Sequence, residues 1–256
     1  MRIRPCIDLH QGRVKQIVGS TLRDDDSSAV RENFTASQPP AYFSALFRDN
    51  DLTGGHVIML GPGNEDAARE ALNEWPGGLQ IGGGITAENA SFWLDQGASH
   101  VIVTSYVFYR GEIDYSRLDR LLKTVGKERL VLDLSCRKKD GAYFIVTDRW
   151  QNFTRVPIGS RLIGELSSYA DEFLVHGVDV EGKCQGIDTE LVSLLAELAP
   201  IPTTYAGGAR SMEDAFKVRE LGRGRLDLTI GSALDIFGGT GVKFREIVEF
   251  NRRENP

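Results

Sequence analysis

Two aspartates, Asp8 and Asp133, each end a short apolar run, Ile3-Arg4-Pro5-Cys6-Ile7 and Leu130-Val131-Leu132. Each is followed, at distances that differ by one residue, by a glycine-rich segment: Ile81-Gly82-Gly83-Gly84-Ile85-Thr86 and Tyr205-Ala206-Gly207-Gly208-Ala209-Arg210. A third matched pair comes next, Val103-Thr104-Ser105 and Ile230-Gly231-Ser232. A carboxyl at a strand end can give or take a proton, and two across one mouth can work on opposite sides of a substrate. Glycines between a strand and a helix let backbone N–H groups approach a phosphate at the positive helix terminus. Taken singly, such an Asp caps a loop or pairs with a neighbouring base, and such a glycine forms a turn. Occurring twice at matching offsets, they predict an acid–base pair, Asp8 and Asp133, between two phosphate sites. Those sites use Gly83, Gly84, Thr104 and Ser105 on one side and Gly207, Gly208, Gly231 and Ser232 on the other. The implied ligand is a long molecule with a phosphate at each end.

These residues need a scaffold that repeats as they do. Apolar runs suited to strands buried on both faces fall at 3–8, 55–60, 78–83, 99–104, 129–134, 171–176, 201–206 and 226–231. Between them, apolar spacings of three and four predict helices at 41–49, 65–75, 87–96, 116–124, 160–169, 189–198, 212–221 and 242–251. Eight strands each followed by a helix is the pattern of an α/β fold of the (β/α)8 type, a TIM barrel, with a doubly wound open sheet as the alternative. The repeat divides the chain into two four-unit halves, and these close into a symmetric ring more naturally than into a sheet with two edges. Residues 1–256 then form a single barrel domain with two insertions. The polar stretch 19–40, with Asp24-Asp25-Asp26, is long for a βα connection and suits a lid. The stretch 135–158, where Tyr143-Phe144-Ile145-Val146 and Phe153-Thr154-Arg155-Val156 flank Trp150, reads as a hairpin after the fifth strand. Both insertions would lie on the catalytic face.

Composition narrows the class. A net charge of −6 leaves no excess of Lys and Arg to neutralise phosphates over a surface, so nucleic acid and anionic membranes are not expected partners. The three cysteines Cys6, Cys136 and Cys184 are odd in number and far apart, which disfavours a disulfide framework and suggests the cytoplasm. No apolar stretch is long enough to span a membrane. The histidines His10, His56, His100 and His176 form no ligand spacing, so no metal is expected. A monomer is the expected state.

The segments Cys6-Ile7-Asp8-Leu9-His10-Gln11-Gly12-Arg13-Val14, Ile81 to Ile85, Ala206-Gly207-Gly208 and Ile230-Gly231-Ser232-Ala233-Leu234, with the strand end at Asp133, together resemble a known family. It is the phosphoribosylformimino-aminoimidazole carboxamide ribotide isomerases of histidine biosynthesis. The resemblance covers essentially the whole chain and is closest to the eukaryotic-type branch, through Leu134-Ser135-Cys136-Arg137-Lys138 and His56-Val57-Ile58-Met59-Leu60-Gly61-Pro62. It implies a half-barrel-duplicated TIM barrel, a bisphosphorylated substrate and an Amadori rearrangement of an aminoaldose to an aminoketose without a cofactor. By match to the family's first and fifth strands, Asp8 would be the base and Asp133 the acid. An acid must be protonated at neutral pH, so one of the pair should have a raised pKa.

By the same resemblance Trp150 would stack on the imidazole carboxamide end, or else fill a hairpin core. His56 matches a family histidine and would contact substrate. In many bacterial members the sixth strand ends in a Thr ahead of an acidic-Gly-Thr segment. Aligned on Glu181-Gly182, that Thr becomes His176, which could bind the same substrate hydroxyl, assist proton transfer or simply pack. The acidic residue common after the second strand is replaced by Gly61-Pro62-Gly63. Lys15, near the first loop, reads better as solvent-facing than as a phosphate ligand. Two rival functions share this pattern: the cyclase subunit of imidazole glycerol phosphate synthase, and a barrel that binds a phosphorylated ligand without turning it over. The Asp-Leu-His-Gln-Gly opening and Trp150 favour the isomerase over the cyclase, and the retention of both aspartates argues against a pure binder.

Overall fold

The structure is a computed structural model that describes residues 1–17 and 32–254. Most of the stretch read as a lid, from 19 to 31, lies outside the described residues. Eight parallel strands follow one another: β1 (Cys6–His10), β2 (Gly55–Met59), β3 (Leu79–Gly82), β4 (Val101–Val103), β5 (Leu130–Asp133), β6 (Glu172–His176), β7 (Thr203–Ala206) and β8 (Leu226–Thr229). Each is hydrogen-bonded to the next in chain order. The ring closes at Pro5. Ahead of it Ile3–Arg4 pairs with Leu228 and Thr229 of β8, and beyond it Cys6 to Leu9 pairs with His56 to Met59 of β2. Proline has no N–H to give to a ladder, so the chain changes partner there and holds both edges together. The TIM barrel predicted from the repeat is the fold.

Among the described residues eight helices surround it, one after each strand: α1 (Pro40–Arg48), α2 (Glu65–Glu74), α3 (Ala90–Asp95), α4 (Tyr115–Val125), α5 (Ser160–Leu166), α6 (Thr189–Leu198), α7 (Met212–Leu221) and α8 (Phe244–Glu254). Helix α6 shows why. Asp188 caps it by accepting from Leu191 N–H, and Leu191, Val192, Leu195 and Ala196, spaced by one and four, are buried against the sheet. Helix α4 is capped likewise by Asp114 and ends at Gly126, whose φ of 76° lies in the left-handed region.

Strand alternation stacks the interior in layers. On β6 the inward residues are Glu172, Leu174 and His176. Glu172 belongs to a polar layer at the N-terminal end, where Arg4, Gln80 and Thr204 all donate to its carboxylate. Leu174 packs with Ile58, Ile102, Val131 and Ala206 in an apolar middle layer. His176 stands above them at the C-terminal mouth.

Three of the differences between the local elements and the sequence pattern have a visible cause or shape the mouth. Helix α3 starts at Ala90 rather than 87, because Asn89 Oδ1 accepts from Thr86 N–H (2.8 Å) and its Nδ2 donates to Gly84 O (3.0 Å), holding the preceding residues in a turn. The insertion after β5 is a three-stranded antiparallel sheet, Cys136–Lys139, Ala142–Thr147 and Asn152–Pro157, where a hairpin was expected. Polar Cys136-Arg137-Lys138-Lys139 carries no strand pattern of its own; its residues pair with Ala142 to Ile145. The third is Arg13–Ile17, which folds back antiparallel on β1 and pairs with Glu32–Thr35. Among the described residues no helix is long and apolar enough to cross a membrane.

Candidate active site

A cavity of about 610 Å³ lies at the C-terminal ends of the strands, where barrels of this kind carry their chemistry. Asp8, His56, Gly83, Gly84, Thr104, Ser105, Asp133, Trp150, His176, Gly207, Gly208, Gly231 and Ser232 all line it. The structure therefore brings together every site residue predicted from the sequence.

The two glycine segments have positive φ at both positions in both halves: 95° and 71° at Gly83 and Gly84, and 125° and 74° at Gly207 and Gly208. The first glycine of each pair is pressed against the strand beside it. A Cβ on Gly83 would sit 2.1 Å from Met59 O, and one on Gly207 2.8 Å from Gly177 O. Some of the helix-end donors expected for phosphate are taken internally, since Thr86 N–H goes to Asn89 and Arg210 N–H to Asp214 Oδ2 (3.0 Å). The backbone of the glycine loops and the hydroxyl of Ser105 are not taken up in this way. Ser105 Oγ accepts from Asp148 N–H (3.0 Å), which leaves its own proton to give. Ser232 Oγ donates to Gln16 Oε1 (3.0 Å), and Gln16 Nε2 reaches Asp8 Oδ2 (3.4 Å), so one side chain ties the loop after β8 to a carboxyl.

The two aspartates sit in opposite electrostatic settings. Burial, reinforced by the charge of Glu181, pushes Asp8 up to about 7, against the opposing pull of His176. Burial also pushes Asp133 upward, but the hydrogen bond and charge of His176 and two bonds from Ser135 overcome it and hold Asp133 below its usual value. Those bonds are Ser135 N–H and Oγ–H to Asp133 Oδ1, at 2.8 and 2.6 Å. With its proton given to the carboxylate, Ser135 Oγ accepts from His176 Nδ1 (3.1 Å), which lies 3.6 Å from Asp133 Oδ1. Burial lowers His176, yet Asp133, Glu181 and Asp8 together lift it to about 9. His56, buried beside that positive ring, is pushed down to about 3 and is neutral. The raised carboxyl is therefore the residue read as the base, and the residue read as the acid is an ionised partner of an imidazolium.

Trp150 does not fill a hairpin core. Its ring lies 5.4 Å from that of His176 inside the cavity, carried by Asp148, Arg149 and Trp150, whose φ values of 53°, 54° and 66° are all left-handed. Lys15 corrects the sequence expectation: it is 5% exposed, paired with Glu32 and Gln11, and faces neither solvent nor the cavity. Cys6, Asp8 and His56 bring ligand-type atoms within 4.8 Å of one another. Burial pushes the Cys6 thiol well above its usual range, so the thiolate a metal needs is costly here.

Sequence reasoning missed three members of the site. Glu181 lines the cavity, is pushed up by burial and has an Oε2 that, among the described residues, meets no hydrogen-bond partner. It served in the sequence only as an alignment anchor inside a polar loop. Ser135 had a signal, the Asp-x-Ser spacing of a side chain that bonds two residues on. Gln16 had none, because only the fold-back of Arg13–Ile17 turns it toward Asp8.

Comparison with known proteins agrees with this geometry. Residues 2–241 match the family described as histidine biosynthesis protein. A Neurospora crassa protein named 1-(5-phosphoribosyl)-5-((5-phosphoribosylamino)methylideneamino) imidazole-4-carboxamide isomerase is 54% identical over 99% of each chain. The Saccharomyces cerevisiae protein of the same name is 48% identical over 97% of each chain, and a chloroplastic isomerase of Medicago truncatula is 53% identical over 99% of this chain and 83% of its own. With the duplicated barrel and both glycine loops in place, the chain belongs to the histidine biosynthesis protein family.

Proposed function

We infer that this chain is an intramolecular aldose–ketose isomerase, acting on the imidazole carboxamide aminoaldose named for its relatives. That compound carries two phosphoribosyl groups. The observation that carries the reading is the pair of glycine loops, both with consecutive positive-φ glycines, lining one cavity that also holds Asp8 and Asp133. Two such loops suit one molecule with a phosphate at each end, and two carboxyls between them suit proton transfer at its middle.

The chemistry is an Amadori rearrangement. A proton enters the ribose ring oxygen as its bond to C1 breaks, and the nitrogen lone pair forms a protonated Schiff base. A base then removes the C2 proton; those electrons form C1=C2 and the C=N pair returns to nitrogen. The enolamine becomes the ketose when C1 gains a proton and the C2 hydroxyl loses one. Protons alone move, so the reaction calls for no cofactor. Asp8, with a pKa near the working pH, is suited to take the C2 proton and return it at C1. Trp150 is placed to stack on the heterocycle and His56 to meet the substrate as a neutral donor or acceptor. The three free cysteines fit a reducing compartment such as the cytoplasm.

The test is the absorbance change when the purified protein meets the aminoaldose, coupled to imidazole glycerol phosphate synthase. Native protein turns over, and Asp8→Asn and Asp133→Asn each lose at least about a hundredfold. Inactivity here with conversion of the aminoketose in the presence of ammonia would identify a cyclase instead, and binding without turnover in either assay would leave a binder.

A further inference from the structure

Gln16 is 2% exposed at the edge of the cavity, and both ends of its amide are engaged. Nε2 points at two acceptors, Asp8 Oδ2 (3.4 Å) and Cys6 Sγ (3.9 Å), while Oε1 accepts from Ser232 Oγ–H (3.0 Å). Turned over, the amide would set its carbonyl oxygen against a carboxylate, so chemistry fixes its direction. The side chain is also wedged in place. A Cβ on Gly231 would sit 2.6 Å from Gln16 Oε1 and 2.9 Å from Cys6 Sγ, so the loop after β8 lies directly on the amide. At one end of this link Asp8 Oδ2 is tied to Gln16, and its Oδ1 is, among the described residues, the oxygen left to the cavity. At the other end Ser232 has a single hydroxyl proton and gives it to Gln16. Ser105, its match in the first half, accepts from Asp148 N–H and keeps its own proton to give. The two serines, equivalent in the sequence repeat, are therefore not equivalent as donors to a phosphate.

We propose that Gln16 is a positioning residue for the base: its amide aims Asp8 Oδ1 at the substrate's C2 hydrogen, and the Ser232 hydroxyl holds that amide rather than binding phosphate. The inference rests on the isomerase reading and deepens it. A carboxylate that takes a carbon-bound proton must lie within roughly 3–3.5 Å with its lone pair aligned, and a misplacement of about 1 Å costs on the order of a hundredfold. Asp8 has no other hydrogen-bond partner among the described residues, so Gln16 is what selects the oxygen that faces the cavity. At 3.4 Å the bond is long, as catalytic hydrogen bonds often are before substrate tightens them. An N–H donor also favours the charged carboxylate, the form that accepts the proton. The groups around Asp8 are Cys6 on its own strand, His56 on β2, His176 on β6 and Glu181 in the loop after it; the charges of Glu181 and His176 oppose one another there. Gln16 adds no charge and acts by direction. The fold-back that pairs Val14 with Leu9 returns the chain beside β1 and delivers Gln16 to Cys6 and Asp8. A phosphate at the loop after β8 is then left to backbone N–H groups.

The experiment compares kcat, KM and their pH dependence in the coupled assay for native protein, Gln16→Met, Ser232→Ala and the double variant, with folding checked by circular dichroism. Methionine keeps the length and near volume of glutamine without its donor or acceptor. Gln16→Met should lower kcat at least about tenfold and Ser232→Ala at least about threefold, with KM in both changed by no more than about threefold. Because Ser232 acts through Gln16, the double variant should fall no more than about threefold below Gln16→Met. The acid limb of kcat/KM reports Asp8, which titrates at about 7, and should move up by at least about half a unit in Gln16→Met as the carboxylate loses its donor. A residue that merely filled space would leave that limb where it is. Gln16→Met within about tenfold of native kcat, or with an unmoved limb, overturns the proposal. So do losses that multiply in the double variant, and so does Ser232→Ala with a raised KM at native kcat, which would make the hydroxyl a phosphate ligand. If Gln16→Met does not fold, Ser232→Ala decides: the expected fall in kcat with KM kept upholds the proposal, and native kcat or a raised KM overturns it. Native protein that fails to turn over the aminoaldose sinks the isomerase reading itself, a result distinct from all of these.

Discussion

At the scale of single residues, the cavity is organised by how each carboxyl is compensated. Asp133 has Ser135 and His176; Asp8 has a long contact to Gln16 and the like charge of Glu181. The difference has a sign that stability measurements can read. A carboxyl raised from 3.8 to about 7 binds its proton more tightly in the folded state. Its contribution is full below the unfolded value and is lost as pH climbs to about 7. Asp8→Asn removes the buried charge and should therefore raise Tm relative to native protein at about pH 8, with little gain at about pH 4. Equal gains at both pH values would show that Asp8 is not raised. In the same variant, activity falls with the lost base. The types and spacing of Asp8, Asp133 and the glycines were readable because they repeat. The partners that set their protonation, Ser135, Glu181 and Gln16, come from one half each and have no counterpart to mark them.

At the scale of elements, the barrel was legible because a strand buried on both faces leaves a continuous apolar run and a helix buried on one leaves a periodic stripe. Partner changes and fold-backs leave neither, so the break at Pro5, the fold-back of Arg13–Ile17 and the third strand of the insertion come only from the structure. The glycine loops join these scales and separate two reasons for glycine. At Gly83 a Cβ would strike Met59 O of the neighbouring strand end at 2.1 Å, whereas at Gly84 it meets nothing within 4 Å. Gly83→Ala should cost about 3 kcal/mol or more, because backbone must move. Gly84→Ala should cost about 1–2 kcal/mol, for its left-handed φ alone. If the loop cradles a phosphate, Gly84→Ala also raises KM at least about tenfold, since the new methyl occupies the approach to the backbone. Urea unfolding and steady-state kinetics on the two variants separate the effects; equal destabilisation would refute the packing argument, and an unchanged KM in Gly84→Ala would remove the first phosphate site.

At the scale of the whole molecule, the two ends of the barrel do different jobs, and one strand shows both. Glu172 and His176 lie on the same face of β6, two steps of alternation apart, with Leu174 between them. At the mouth His176 faces a cavity with unmet partners. At the floor Glu172 is satisfied completely: Arg4 Nη1 donates to both its oxygens (2.9 and 2.8 Å), Gln80 Nε2 to one (3.0 Å) and Thr204 Oγ1 to the other (2.7 Å). Arg4 continues the network to Asp227 on β8 through Nε (2.8 Å), so the Ile3–Arg4 segment, β3, β6, β7 and β8 are joined where the ring closes. A buried ion pair adds little against an apolar substitute, but removing Glu172 strips Gln80 and Thr204 of their acceptor and leaves Arg4 with Asp227 as its one carboxylate partner. Glu172→Ala should therefore lower unfolding free energy by about 3–5 kcal/mol while kcat and KM of the folded fraction change by less than about threefold. Glu172→Gln, which keeps the acceptor for Thr204 but not the charge for Arg4, should fall between. A kinetic defect as large as that of the mouth variants would mean that the apolar layer of Ile58, Ile102, Val131, Leu174 and Ala206 transmits strain from floor to mouth; near-native kinetics in a weakened barrel would show that it insulates one end from the other.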